Sequence, residues 1–314
     1  MTEPNKRTIS LVSPFYNEEK GVDAFFQRIN EVFVGLADRY ELEVIAVNDG
    51  SRDRTYDRLV QAKAANAYLT VVDLSRNFGK EAAISAGLDF ATGDAIVPID
   101  SDLQHPPEVI LELVEKWEQG AEVVLAKRVD RETDRPIQKL TANYFYKVHN
   151  RISDIDIPAD VGDFRLMDRK VVDALKTLPE SRRFMKGLFA WVGFRTTTVE
   201  YKVAAREHGT SSFNTWKLWN FAIEGITSFS SVPLRIWTYL GCAVSALSFV
   251  YAAFLLVKTL FFGVDLPGYA SIMITVLFAS GVQLIGIGVL GEYVGRIFTE
   301  SKNRPVYIVR DVIK

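Results

Sequence analysis

The stretch DSDLQHPP (100–107) sets two carboxylates one residue apart, directly after the apolar run AIVPI and just before the helix-like run EVILELVEKWEQG. At a strand end Asp100 and Asp102 stand close enough to repel, since two like charges at ~4 Å and an effective dielectric of 20 cost about 4 kcal/mol. A cation would remove the conflict. No lysine or arginine lies within the motif, and the hard oxygen donors of Asp100, Asp102 and Gln104 suit Mg²⁺ or Mn²⁺, which also bridge to substrate phosphates. Taken alone the motif has an ordinary alternative, in which Asp102 or His105 caps a helix beginning near Pro106 and Pro107.

Three further stretches carry comparable chemistry: SPFYNEE (13–19), VNDGSRD (47–53) and LSRNFGK (74–80). VNDGSRD also reads as a turn at Asp49-Gly50, with Ser51 as a helix N-cap and Asp53 in the first helical turn. Arg76 and Lys80 are near enough to face phosphates, or are simply solvated. Gly79-Lys80-Glu81 is no P-loop, which needs Ser or Thr after the lysine, and no G-x-G-x-x-G follows the first strand. ATP hydrolysis and dinucleotide redox chemistry lose their usual support.

All four stretches end apolar runs. From residue 8 to about 205, strand-like segments such as TISLVSPF, ELEVIAVND, LTVVDLS, DAIVPID and AEVVLAKR alternate with amphipathic helical segments. That pattern predicts a mostly parallel sheet covered on both faces, with ligands beyond the carboxyl ends of its strands. The four loaded ends are expected to converge on one cleft.

The 314 residues allow one large or two modest domains, and a net charge of −2 gives no nucleic-acid signature. The single cysteine, Cys242, lies in an apolar run, so no Cys-based metal site or disulfide framework is available. The N-terminal MTEPNKR lacks the apolar core of a signal peptide. Residues 236–257 and 270–290 contain no charged side chain, and each is close to the ~20 residues that cross a bilayer as a helix. Lys258 ends the first run, and Arg235, Arg296, Lys302 and Arg304 flank the pair, placing both flanks in the cytoplasm. Just upstream, SFNTWKLWNFAIEGITSFSSVP mixes Trp216, Trp219 and Phe221 with Lys217 and Glu224, as an interfacial helix does. The tail, RPVYIVRDVIK, reads as a β-strand free to join its own sheet or a neighbouring subunit's. Glycines 281, 286, 288, 291 and 295 are placed to let helices pack closely. The expected division is a catalytic domain over 1–212, an interfacial helix over 213–233, a transmembrane hairpin over 234–296 and a cytoplasmic tail over 297–314.

Together SPFYNEE, VNDGSRD, RNFGKEAAISAGLDFATGD and DSDLQHPP resemble the family 2 glycosyltransferases of GT-A fold. GDFRLMDRKVVDAL, RRFMKGLFAWVGFRT, KLWNFAIEGITSFSSVPLR and GVLGEYVGRIF extend the resemblance to the polyprenyl-phosphate subgroup, closest to its bactoprenol glucosyltransferases, over essentially the whole chain. The resemblance implies that Pro14, Tyr16, Asn17, Glu18 and Asp49 line a uridine and ribose pocket. It implies that Asp100, Asp102 and Gln104 hold the metal on the donor diphosphate, with Asp102 and Gln104 the direct ligands. Asp163 in GDFRL is implied near the reacting sugar, orienting it or assisting the acceptor. A lipid-phosphate acceptor needs cations, for which Arg128, Arg131, Lys139 and Arg206 are the candidates. One departure stands out: Gly209, Thr210, Ser211 and Ser212 occupy a place where related enzymes often have Gly-x-Ser-Lys.

The implied activity is inverting transfer of glucose from UDP-glucose to undecaprenyl phosphate at the cytoplasmic face of a bacterial inner membrane, by a multi-pass homo-oligomer, a tetramer among its candidate forms. Both termini are placed in the cytoplasm. UDP-N-acetylglucosamine, a UDP-aminoarabinose derivative and GDP-mannose are alternative donors. A non-catalytic membrane scaffold is the rival from another class, and a processive synthase is disfavoured by the lack of a Q-x-x-R-W motif.

Overall fold

The computed structural model describes residues 6–129, 161–178, 180, 183–202, 232–262 and 268–314. Its first half alternates strand and helix as the apolar runs require: β1 (Arg7–Phe15), α1 (Val22–Phe33), β2 (Tyr40–Asn48), α2 (Thr55–Ala65), β3 (Leu69–Leu74), α3 (Lys80–Phe90), β4 (Ala95–Pro98), α4 (Val109–Glu118) and β5 (Val123–Arg128). Then follow β6 (Val161–Asp168), α5 (Arg169–Lys176), α6 (Met185–Trp191), β7 (Thr196–Tyr201), the long helices α7 (Val232–Phe262) and α8 (Tyr269–Ser301), and β8 (Val309–Ile313).

The strands form one sheet in the order β7-β5-β6-β4-β1-β2-β3-β8. Pairs β1·β2, β1·β4, β2·β3 and β5·β7 are parallel, whereas β6 is antiparallel to both β4 and β5, and β8 is antiparallel to β3. The sheet is therefore mixed, with a parallel centre. The reversal of β6 has a direct result: its beginning, and with it Asp163, lies at the edge where β1 to β5 end. The tail strand joins its own sheet.

Side chains of the central strands alternate between two cores. Ile9, Leu11 and Phe15 face α1, α2 and α4, meeting Phe25, Phe26, Ile29, Leu59, Leu113 and Trp117. Val12, Ile45, Val47 and Val72 face α3, α5 and α6, meeting Ala83, Ile84, Val172, Met185 and Leu188. Helix α1 buries residues at i, i+3, i+4 and i+7, a core-facing stripe. Helix α5 is capped by Asp168, whose carboxylate accepts the Lys170 N–H at 3.2 Å and the Trp117 Nε1–H at 2.8 Å.

Helix α3 departs from the one-sided pattern, being buried from Ala82 to Leu88. Its small residues let it lie against the sheet, and at Gly87 a Cβ would come within 2.1 Å of Val12 Cγ1. This close approach fixes the depth at which α3 sets its N-terminal Lys80 over the strand ends.

Helices α7 and α8 contain the two uncharged runs and leave large apolar side chains exposed, among them Tyr239, Leu247, Phe254, Leu284, Leu290 and Phe298. Among the described residues one stretch, Phe278–Ser301, is long and apolar enough to cross a membrane. Of the five glycines expected to mediate close packing, Gly286 faces Trp237 of α7, while 281, 288, 291 and 295 have open space beside them. The interfacial helix expected over 213–233 lies outside the described residues except for Val232 and Pro233.

Gly87→Ala tests the α3 contact. Alanine improves helix propensity by about 1 kcal/mol, yet overpacking of this kind typically costs about 1–3 kcal/mol, and β-branched Val12 is stiff at χ1. The expected outcome is a lower melting temperature for the detergent-solubilised protein, against the propensity trend.

Candidate active site at the strand ends

The loops after β1, β2 and β3 are locked together by side chain to backbone hydrogen bonds. Asn17, in the left-handed region at φ 55°, accepts the Arg52 N–H at 2.9 Å, and its own N–H donates to Ser51 Oγ at 3.0 Å. Glu18 N–H donates to Thr55 Oγ1 at 2.9 Å. Asp49 is buried, and its two carboxylate oxygens accept the Phe78 and Gly79 N–H groups at 2.7 and 2.9 Å. Burial pushes the Asp49 carboxyl up, and those two hydrogen bonds work against the rise. Gly50 is required here: at φ 60°, a Cβ would meet the Arg76 carbonyl carbon at 2.3 Å.

Sequence reasoning offered Ser51 as a helix N-cap. Helix α2 begins instead at Thr55, and the residue serving its first turn is Asp53, which accepts from the Thr55 N–H at 3.0 Å and hydroxyl at 2.5 Å. At the expected Asp49-Gly50 turn the backbone bends at Gly50, which takes a positive φ of 60°. Pro14 sits in register with Val47 near the end of β1, and Tyr16 keeps 43% of its surface exposed, leaving its ring available to a ligand.

At the centre, Lys80 bridges two carboxylates from different strands. Its ammonium lies 2.7 Å from Asp100 Oδ1 and 3.0 Å from Asp163 Oδ2. Burial works to lower the Lys80 ammonium, and Asp100 and Asp163 outweigh it, leaving it raised. Burial works to raise Asp163, and Lys80, Lys186 and Arg165 bring it below the usual carboxylate range. Among the described residues, Asp163 Oδ1 is buried without a hydrogen-bond partner, and a buried polar atom of this kind calls for a donor.

Asp102 forms a local turn, accepting the Gln104 N–H at 3.1 Å, with Leu103 between them at φ 56°. The helix-cap alternative for this loop fails: the residue before α4 is Glu108, with no side-chain cap. His105 stacks on Phe164 with ring centroids 5.0 Å apart and meets Tyr201 edge-on at 5.9 Å; burial lowers its imidazole. Among the described residues no three or more His, Cys, Asp and Glu side chains form a closed metal cage. Two hard carboxylates with further coordination left open fit Mg²⁺ or Mn²⁺, which usually keep waters and take substrate phosphates. Of the two, Asp100 already draws a cation, the Lys80 ammonium at 2.7 Å.

Arg128 ends β5, in register with Tyr201 of β7, on the His105 side of the cleft. Arg131, Lys139 and Arg206 lie outside the described residues, as do residues 209–212. Behind Asp163 is a layer that sequence reasoning did not identify. Arg165 is buried, donates to Gly162 O at 2.6 Å and lies 4.1 Å over the Phe189 ring; burial lowers its guanidinium to about 10. Glu81 accepts the Met185 N–H at 3.2 Å, and burial, with Asp163 nearby, raises its carboxyl to about 8. A charged residue inside the apolar strand segment FRLM was the available signal for Arg165. For Lys80 the sequence showed a lone lysine and could not show the two carboxylates that surround it.

The glycosyl transferase family 2 profile matches residues 10–176, more than half of the chain and all four loaded strand ends. The chain belongs to this family. A second profile, the GtrB C-terminal hairpin, matches 232–297, and this family 2 member is membrane-associated. It is 54% identical over 304 residues to a bactoprenol glucosyl transferase of Shigella phage SfV, covering 96% of this chain and 98% of that one. An uncharacterized glycosyltransferase of Synechocystis is 53% identical over 304 residues, covering 97% and 95%. The mannosyltransferase PcManGT from Pyrobaculum calidifontis, solved in complex with GDP-Man and Mn²⁺, is 17% identical with a TM-score of 0.51, covering 90% and 84%, and so shares the fold.

Glu81 gives this family member a testable pH dependence. Its folded carboxyl holds its proton more tightly than the unfolded chain's, so its stabilising contribution is full below about 4.5 and is lost as pH rises toward about 8. Glu81→Gln removes that titration. Melting temperature followed from pH 5 to 8 is expected to fall more steeply for the native protein than for the variant.

Proposed function

We propose that this protein transfers glucose from UDP-glucose to undecaprenyl phosphate, with inversion, at the cytoplasmic face of a bacterial inner membrane. The observation that carries the reading is 54% identity to a bactoprenol glucosyl transferase over 304 residues, a likeness that runs through strand-end cleft and hairpin alike. In this reading residues 1–212 form the catalytic domain, 213–233 an interfacial helix, 234–296 a two-span hairpin and 297–314 a cytoplasmic tail. The exposed apolar surfaces of α7 and α8 support the hairpin's insertion in lipid. Assembly as a homo-oligomer belongs to the same proposal.

The reaction is one displacement. An oxygen of the lipid phosphate forms a bond to the anomeric carbon as the bond from that carbon to the diphosphate breaks, and UDP departs with the electron pair. Such an acceptor is already anionic near neutral pH and needs no strong base. Tyr16, Asn17, Glu18, Pro14 and Asp49 belong to the uridine and ribose half, where Tyr16 offers an exposed ring and Asp49 braces the third loop. Asp100, Asp102 and Gln104 would hold a divalent metal, which would supply Lewis-acid neutralisation of the leaving diphosphate.

Asp163 faces the sugar. Held ionised by Lys80, it accepts from sugar hydroxyls and orients the ring for attack from the opposite face. Lys80 is placed to shift from the carboxylate pair toward a bound diphosphate, adding positive charge there. Arg128, with Arg131, Lys139 and Arg206, receives the acceptor phosphate, where guanidinium groups bind bidentately.

Transfer of labelled sugar from UDP-glucose, UDP-N-acetylglucosamine and GDP-mannose to undecaprenyl phosphate tests the reading. Labelling from UDP-glucose that chelator abolishes and Mg²⁺ or Mn²⁺ restores is expected; labelling from another donor alone would refute the glucose assignment. Asp102→Asn is expected to reduce kcat by roughly 10²-fold or more. Asp163→Asn should lower kcat while leaving the donor KM within about twofold, the pattern of an interaction made mainly in the transition state.

A further inference from the structure

Strand β8 follows the hairpin in sequence and closes the sheet edge beside β3. Its pairing is irregular at Asp73 and Leu74, after which the N–H of Ser75, the first residue of the loop after β3, donates to Ile308 O at 2.9 Å. Asp73 is 2% exposed, and a carboxylate so enclosed needs a cation or strong donors beside it. Its partners among the described residues are Asn48, whose amide donates to Oδ1 at 2.7 Å, and Arg310, whose Nη1 lies 3.3 Å from Oδ2. The second arm of Arg310 donates to Ser75 O at 2.7 Å.

Asn48 does not end the chain of contacts. Its Oδ1 accepts a long 3.4 Å hydrogen bond from the Ser51 N–H, and Ser51 Oγ receives the Asn17 N–H. One guanidinium on the strand after the membrane helices is thus linked through Asp73 and Asn48 to the loops after β1 and β2, and through Ser75 to the loop after β3. We propose that Arg310 is a positioning residue for the nucleotide half of the site: the tail strand holds the donor-binding loops in shape without touching the donor. This assignment rests on the donor-site reading above. Covering an open sheet edge would by itself need backbone pairing only. It would not need an arginine aimed at a buried carboxylate.

The test uses the full chain in detergent micelles, with UDP titrated calorimetrically and transfer kinetics measured alongside. Arg310→Ala is expected to weaken UDP binding and raise the donor KM by roughly three- to thirtyfold, the range of contacts that act through intermediaries. The acceptor KM, and kcat at saturating donor, should stay within about twofold. Arg310→Lys should recover part of the loss, and adding Asp73→Asn to Arg310→Ala should recover binding by removing the uncompensated buried charge. Native-like UDP affinity and donor KM in Arg310→Ala overturn this inference alone, as does a loss of kcat with UDP affinity intact. A native protein that binds no UDP overturns the donor-site reading and this inference with it.

Discussion

Negative charge gathered at one edge of a sheet has to be neutralised, and in this protein Lys80 does so. Asp100 follows β4, Asp163 begins β6, and the ammonium from the start of α3 lies between them. Much of the architecture serves that meeting. The reversed direction of β6 brings Asp163 to the edge where the parallel strands end. The small residues of α3 let its helix sink against β1, so that Lys80 emerges at the right depth. Arg165 and Lys186 add to the positive charge that keeps Asp163 ionised.

The cleft has two halves with different mechanics. On one side, the loops after β1, β2 and β3 are held by contacts that leave little freedom: Asn17 with Arg52 and Ser51, Asp49 with Phe78 and Gly79, Gly50 pressed against Arg76. That half is preformed, as small-molecule sites usually are. The other half, around Lys80, holds its charges in a balance that an incoming anion or cation would redistribute. A rigid grip beside a responsive electrostatic centre suits a reaction in which the nucleotide stays put while the bond to it breaks.

The alternation of strands and helices was plain in the sequence because apolar runs such as VIAV, LTVV and AIV report burial on both faces. Strand direction was not, since periodicity carries no sign, and β6 reads the same whichever way it runs. The strand-end motifs meet at one edge of the sheet, as their positions after apolar runs suggested, and Asp163 of GDFRL joins them there. What stayed hidden were meetings between distant segments. Lys80 resembled any solvated lysine, Ser51 resembled a helix cap, and nothing near Asp73 in the sequence pointed to Arg310. Long-range pairs of this kind are set by topology, which a local reading of residue types does not contain.

The position of β8 in the chain also sets an order of assembly. Its partner strand β3 is synthesised early, but residues 309–313 leave the ribosome only after α7 and α8 have been made. Until then the β3 edge has no β8 to cover it, and Asp73 has no arginine beside it. A sheet whose last pairing spans well over two hundred positions acquires that contact late, since local contacts form before distant ones repay their closure entropy. The growing chain therefore makes α7 and α8 before the loops after β1, β2 and β3 receive their final brace, so the finished cleft is a product of completed synthesis.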